Sequence, residues 1–379
     1  MRLSIIIPMY NAQDTIEQCI ESILNQSYKD IEVVIVNDGS TDDSLEICER
    51  YEKQDERVII LNQANKGAFE ARRSGVRCCS GDYVTFVDAD DFVIEKAYIA
   101  AKGAMDSSVD LILFPVARYY DANNIKYEKS KHIPGLRTQD NLRKEIFKKL
   151  IWDFKNKCPG MEPQMGVNIF KREILLDQFN NTNIDFWYGE DIAIVYPIYK
   201  KIESLQIIDY CYYMHRQKEK DYWPYVRNKA YFDGVYALYK HLINEFSEQS
   251  ADYDFIKQIE YFYMYAVNLK GVIYGEKINN NNYLFPFDKV ESGATVVLHG
   301  AGKVGREYYS QLESLSYCKS VIWVDKKYEL LNDERIISPD DAFELKFDYI
   351  VIAIGDKNIC ETVKDYYIQN GIDERKIIY

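Results

Sequence analysis

The chain lacks any long hydrophobic run. No uninterrupted segment reaches the roughly 18 apolar residues of a membrane-crossing helix, and the apolar stretch in MRLSIIIPMYN is too short for a signal peptide and is broken at Pro8. A basic surplus is missing too. The formal charge is -13, and without clustered Lys and Arg or a basic tail there is no nucleic-acid surface to expect. Eight cysteines are present (Cys19, Cys48, Cys78, Cys79, Cys158, Cys211, Cys318 and Cys360), yet no C-x-x-C pair occurs among them. That spacing argues against a zinc site or a disulfide framework and fits reduced thiols. Together these absences point to a cytoplasmic chain, and an acidic protein that handles phosphates would want a metal.

What is present is a long chain of ordinary globular composition. At 379 residues it exceeds a single core and predicts at least two domains. The first hundred residues read as repeated strand-then-helix units. Leu3 to Ile7 suit a strand buried on both faces, and Ile16, Cys19, Ile20, Ile23 and Leu24 recur at helical steps. Glu32 to Val36 form a second strand, and Asn37 to Asp42 supply a turn and cap before a helix over Ser44 to Gln54. Val58 to Leu61 and Tyr83 to Val87 are further strands, with a helix over Phe69 to Arg77 between them. This alternation predicts an α/β fold with a mostly parallel sheet, and loops leaving the carboxyl ends of its strands should converge on one ligand crevice.

Beyond Asp110 the pattern is mixed. A strand is expected at Leu111 to Phe114, an amphipathic helix near Leu142 to Phe154, and a helix around Ile192 to Lys200. From Tyr222 to Tyr274 the chain reads as helical and tyrosine-rich, and Asn279 to Asn282 followed by Pro286 mark a linker. A separate unit follows with TVVLHGAGKVG, VIWVD and YIVIAIGD. The expected domains are 1–215, a helical region with linker over 216–288, and a small Rossmann-like α/β domain over 289–379.

The stretch YVTFVDADDFVI ends a buried strand in Asp88, Asp90 and Asp91. Like charges this close repel unless a cation sits among them. A divalent metal would answer that need; a solvated turn with a helix N-cap is the alternative. Asp38 in VNDGS has the same two readings, a ligand contact or a turn before a helix.

IIIPMYNAQDTIEQCIESILNQSY, VVIVNDGSTDDS, NKGAFEARRSG, YVTFVDADD and WYGEDIAIVYPIY resemble, in order, the signatures of family 2 glycosyltransferases with the GT-A fold. The resemblance covers roughly residues 1–215. It implies a nucleotide-sugar donor, a UDP-sugar above all, and a Mn²⁺ or Mg²⁺ ion held by Asp90 of the D-x-D signature, with Asp88 on the ribose or sugar. It assigns Asp38 to the uracil ring, Pro8 and Tyr10 to the wall behind that base, and Lys66, Gly67 and Arg72 to a loop and helix reaching the nucleotide. Asp91 is left as a further ligand or a helix cap. Asp191 becomes the general base that deprotonates the acceptor hydroxyl, with inversion at the anomeric carbon, and Glu190 orients the acceptor or caps the helix. His215 or Arg216 would contact phosphate, and His215 is a further metal candidate. The acceptor implied is a cell-surface glycan or a lipid-linked glycan.

The helix expected near Leu142 to Phe154 carries Arg143, Lys144, Lys148, Lys149, Lys155 and Lys157. A basic amphipathic helix can rest on the inner face of a membrane, or its apolar face can pack into the domain. In the last unit Gly300, Gly302 and Gly305 form G-x-G-x-x-G between a strand and a helix, and Asp325 ends the next strand 20 residues after Gly305. That is a dinucleotide fingerprint, implying NAD(P) or another nucleotide, yet the unit is half of a full dinucleotide fold and shows no hydride-transfer residues; a regulatory or assembly role is the alternative. Two other functions compete for the whole chain. A nucleotidyltransferase wants a glycine-rich, arginine-containing loop after its first strand, where this chain has Pro-Met-Tyr-Asn-Ala-Gln, and a non-catalytic nucleotide-binding scaffold would have no use for Asp38, Asp88, Asp90 and Asp191 together.

Overall fold

The computed structural model describes all residues except 129, 131, 218–229, 248–252, 275–282, 284, 287–288, 292 and 316, together with side chains 269–274 and 314–315. The chain divides into two compact units, Met1–Ile259 and Glu260–Tyr379. The expected linker at Asn279 to Asn282 lies outside the described residues.

The first unit opens with β1 (Leu3–Met9), α1 (Ile16–Leu24), β2 (Ile31–Asp38), α2 (Ser44–Gln54), β3 (Val58–Gln63), α3 (Ala68–Cys78) and β4 (Tyr83–Phe86). β1 pairs in parallel with both β2 and β4, and β2 with β3. Every residue of β2 is buried, and each fully buried Val or Ile contributes roughly 1.5 to 3 kcal/mol. Such a strand has no solvent face, which is why Val33 to Val36 are continuously apolar, with Glu32 buried before them and Asn37 and Asp38 after them at the carboxyl end.

The remaining elements of this unit are β5 (Phe92–Val93), α4 (Lys102–Asp106), β6 (Leu111–Leu113), β7 (Val116–Asp121), β8 (Asn124–Tyr127), β9 (Gly135–Thr138), α5 (Gln139–Asn141), the hairpin β10 (Trp152–Asp153) and β11 (Cys158–Pro159), β12 (Asn168–Lys171), α6 (Arg172–Asn181), α7 (Glu190–Ile198), β13 (Ser204–Ile207), β14 (Tyr213–Arg216), α8 (Tyr231–Phe246) and α9 (Phe255–Tyr274), whose last residues begin the second unit. The main sheet has the order β3-β2-β1-β4-β12-β6-β13-β9, and a second sheet has the order β5-β14-β7-β8. β12 runs antiparallel to both β4 and β6, so parallel pairing breaks off at β12 and returns only between β6 and β13.

The helix expected over Leu142 to Phe154 is broken. α5 passes into a π-helical turn over Leu142–Ile146 and a 3-10 turn over Phe147–Lys149, and Trp152 already belongs to β10. The cause is Gln258: its Nε2 donates to the Phe147 carbonyl at 2.8 Å and its Oε1 accepts from the Ile151 amide at 3.0 Å, taking over the pair that an α-helix would join directly. Leu142, Ile146, Phe147, Leu150 and Ile151 are buried, so these apolar side chains pack into the domain, whereas Phe154 is exposed. Among the described residues no helix is long and apolar enough to cross a membrane.

The second unit contains β15 (Thr295–His299), α10 (Lys303–Leu315), β16 (Ser320–Val324), β17 (Ile336–Ile337), β18 (Tyr349–Ile352), α11 (Lys357–Gln369) and β19 (Ile377–Ile378). Its sheet has the order β17-β16-β15-β18-β19 and is parallel throughout, the arrangement of doubly wound sheets. Val297, Val324, Ile350 and Ile352 form its core with Cys360, Val363 and Tyr367.

Candidate active site

The loops that follow β1, β2, β3 and β4 meet at one edge, as the strand pattern predicts. They are bonded to one another: the Asn11 amide donates to Ser40 Oγ at 3.1 Å, the Thr41 amide to Asn11 Oδ1 at 2.8 Å, and Thr15 Oγ1 to the Ala89 carbonyl at 2.9 Å. They enclose a cavity of about 690 Å³ lined by Pro8, Tyr10, Asp38, Gly67, Arg72, Asp88 and Asp90, with Asn11, Asn65 and Arg216 added. Asn11, in a left-handed conformation with φ 48°, is a site residue that sequence reading passes over, although an Asn in a tight turn after a strand is the available signal.

Asp38 organises the loop between β3 and α3. Its Oδ1 accepts from Gln63 Nε2 at 2.7 Å and the Lys66 amide at 2.9 Å, and its Oδ2 accepts from the Gly67 amide at 2.8 Å. Asp38 is 3% exposed, anchors a loop, and lines the cavity. Gly39 has φ 75°, and a Cβ there would lie 2.9 Å from the Asn65 nitrogen, so only glycine fits between the two loops.

Four charged groups gather around Arg72, of which Arg72 and Asp88 line the cavity while Glu190 and Asp191 lie behind them. Buried Arg72 on α3 donates from Nη2 to Asp88 Oδ1 at 2.8 Å, and its Nη1 bonds Glu190 Oε1 at the start of α7. Asp191 Oδ1 is buried, lies 3.5 Å from the same Nη1, at ion-pair range, and has no hydrogen-bond partner among the described residues; Asp191 Oδ2 accepts from the Met165 amide at 3.3 Å. Burial pushes the Asp191 carboxyl up to about 6; Arg72 opposes that rise, whereas Glu190 and Asp88 add to it. Burial works against the Arg72 charge, but Asp88, Asp191 and Glu190 outweigh it and raise its pKa. α7 begins after Gly189, whose φ of 74° is a left-handed turn suited to glycine.

Asp91 is neither a helix cap nor open to a ligand. It is 2% exposed, and the residues after it form β5. Its Oδ2 accepts from Tyr213 Oη and its Oδ1 from the Arg216 amide, both at 2.7 Å, while burial, then Asp88 and Asp90, push its carboxyl well above the usual range. Arg216 also donates from Nε to the Asp90 carbonyl at 2.8 Å. His215 points elsewhere: its Nδ1 is 3.1 Å from Arg118 Nη1, it does not line the cavity, and burial followed by Arg118 lowers its pKa.

Among the described residues no three His, Cys, Asp or Glu side chains come together as a metal cluster. Asp90 nevertheless fits one: exposed, on the cavity wall, and without a side-chain hydrogen bond among the described residues. A hard divalent cation held by one carboxylate and the oxygens of a diphosphate needs no larger protein cage.

In the second unit the glycine-rich turn has the expected form, with an internal occupant. Gly300 has φ 118°, and a Cβ on Gly305 would lie 1.8 Å from the Gly300 carbonyl oxygen. Asp325 Oδ2 accepts from the Ala301 amide at 2.7 Å and Oδ1 from the Lys327 amide at 2.8 Å. The acid expected to meet a ribose is thus bonded to the turn expected to meet a phosphate, whereas a Cβ on Gly302 would meet nothing within 4 Å.

Residues 4–166 match the family model "Glycosyl transferase family 2", and residues 293–378 match "C2185-like, N-terminal". Glycosyltransferase GlyA of Streptococcus pneumoniae is 40% identical over 136 residues, covering 35% of this chain and 19% of the relative. The uncharacterized glycosyltransferase EpsJ of Bacillus subtilis is 50% identical over 91 residues, covering 24% of this chain and 26% of the relative. The matched stretch is thus only a fifth to a quarter of each relative's length. Among solved structures, S. aureus TarS 1-349 aligns with a TM-score of 0.51 at 19% identity, covering 73% of each chain. Its complex with UDP-GlcNAc aligns with a TM-score of 0.50 at 18% identity, covering 72% of this chain and 73% of TarS. The matched segment and the ordered motifs lie in the unit whose loops build the cavity: residues 4–166 are a glycosyl transferase family 2 segment, and the fold is GT-A.

Proposed function

We propose that the chain transfers a sugar from a UDP-sugar to a hydroxyl of a cell-surface glycan or glycoconjugate, with inversion and with the help of a divalent cation. The observation that carries this reading is Asp191: a carboxylate pushed up to about 6, with an oxygen free of hydrogen bonds, sharing Arg72 with the Asp88 of the cavity. A general base works best when its pKa lies near the operating pH. UDP is favoured as the nucleotide by the fold shared with TarS, which was solved with UDP-GlcNAc; the acceptor class rests on the family.

In this reading the nucleoside lies along Pro8 and Tyr10. Asp38 has three of its roughly four acceptor sites engaged within the protein, which leaves one for a ring N–H. Arg216 lies toward the diphosphate. Asp90 would hold Mn²⁺ or Mg²⁺ with the diphosphate oxygens, and the chemistry supplied there is neutralisation of the leaving group's charge. Asp191 takes the proton from the acceptor O–H as the oxygen's electron pair forms the new bond to the anomeric carbon. The bond from that carbon to the diphosphate oxygen breaks in the same displacement, and its electron pair leaves with UDP. One displacement from the opposite face inverts the centre.

The test is nucleotide release from a panel of UDP-, GDP-, TDP- and CMP-sugars with Mn²⁺ or EDTA, with Asp90→Ala as control. Metal-dependent UDP release from one sugar, lost in the variant, is expected. If no sugar nucleotide is hydrolysed or bound, the reading falls and a non-catalytic scaffold takes its place.

A further inference from the structure

Arg72 joins two parts of the chain that are far apart in sequence, since its partners Asp88 and Glu190 lie 16 and 118 residues away. The guanidinium is planar and its donors form a rigid fork. With one prong on Asp88 in the donor loop, the direction of the other is fixed, and it falls on the first turn of α7. There Glu190 takes the hydrogen bond and Asp191 stands off at 3.5 Å.

That division has a chemical consequence. A carboxylate hydrogen-bonded to a buried guanidinium is a poor proton acceptor, because the bond favours its charged form. Glu190 occupies Nη1, so Asp191 feels the cation without being bonded to it, and its Oδ1 keeps its lone pairs. We propose that Arg72 and Glu190 are a positioning pair, which sets the base against the donor loop and keeps Asp191 from closing onto the guanidinium, so that Glu190 acts through Arg72 and not on the acceptor. The proposal rests on the transferase reading for the identity of the base.

The kinetic arm uses the full chain with its donor and acceptor. In Glu190→Gln the hold on Nη1 weakens. We expect kcat for transfer to fall by at least about tenfold, since misplacing a reacting group by about 1 Å costs on the order of 100-fold. The acceptor KM should stay within about twofold. In Arg72→Lys the charge remains but the fork is lost, so kcat should fall as in Glu190→Gln. A rise in acceptor KM with kcat intact in Glu190→Gln would make Glu190 an acceptor contact and overturn the proposal.

A second arm needs no turnover. Asp88→Asn and Glu190→Gln meet at Arg72, so their melting-temperature shifts should be non-additive with Arg72 present and closer to additive in an Arg72→Met background, where only their common field on Asp191 remains. Additivity in both backgrounds overturns the proposal. A wild-type protein that neither binds nor hydrolyses a sugar nucleotide sinks the transferase reading alone, and the melting arm still decides whether the pair is coupled.

Discussion

The hydroxyl of Tyr213 donates to Asp91 Oδ2 at 2.7 Å and accepts from the Asp88 amide at 3.2 Å. One side chain from β14 therefore holds both ends of the acidic turn, and the Arg216 amide holds Asp91 from the other side. The three clustered acids divide their work: Asp91 is a buried brace, Asp88 is paired with Arg72, and Asp90 is open to the cavity.

Removing that hydroxyl with Tyr213→Phe should leave a buried carboxylate one donor short, at a cost of about 1 to 3 kcal/mol. The melting temperature should drop and donor affinity should weaken with it. Unchanged melting would mean that the turn holds itself.

The raised pKa of Asp191 predicts a pH profile. As the proposed base, Asp191 must be ionised, so kcat for transfer should rise with pH and level off above about 6, and Asp191→Asn should remove transfer while donor binding persists. Stability runs the opposite way. The folded protein holds the Asp191 proton more tightly than the unfolded chain, whose carboxyl titrates near about 3.9. Its contribution is complete below that value and is lost as pH rises through about 6. The wild type should therefore gain stability on Asp191→Asn as pH falls between those limits, and parallel stability curves would count against the shift.

Asp38→Ala should release the loop at 63–67. Three hydrogen bonds vanish, each worth about 1 kcal/mol net and more where a buried amide is orphaned. Donor affinity should fall with no change in the pH profile of any residual transfer. Calorimetric titration with UDP and Mn²⁺ checks this, and wild-type affinity would show that the loop is held by other means.

Gly305→Ala tests the second unit. Its Cβ would lie 1.8 Å from a backbone oxygen, a clash that no side-chain rotation relieves. The melting of that unit should fall or its transition should disappear, with the first unit's melting in place; a normal transition would mean that the turn can yield.

Much of this was legible in the sequence because burial writes itself into local pattern. The continuous apolar runs of β1 and β2, buried on both faces, and the helical steps of α1 gave the alternation, and the rule that loops at strand ends converge gave the cavity. What remained hidden depended on partners far along the chain. The spacing of Ile146, Phe147, Leu150 and Ile151 is helical, and nothing nearby announces that Gln258 will take their backbone groups. The insertion of β12 between β4 and β6 is likewise a matter of long-range pairing. The resemblance set Arg72 on a helix reaching the nucleotide, but its bond to Glu190 was hidden, because that partner arrives from a segment 118 residues away.

A final consequence concerns Gly75, which no ligand need touch. A Cβ there would lie 2.5 Å from Ile6 Cγ2, so α3 rests directly against β1, and Arg72 is one turn earlier on the same helix. The depth to which that helix sinks on the sheet is therefore also the reach of the guanidinium. Any side chain at position 75 would act as a wedge under a lever: the helix would lift by a fraction of an ångström, and the guanidinium would be drawn off Asp88 and Glu190 with it.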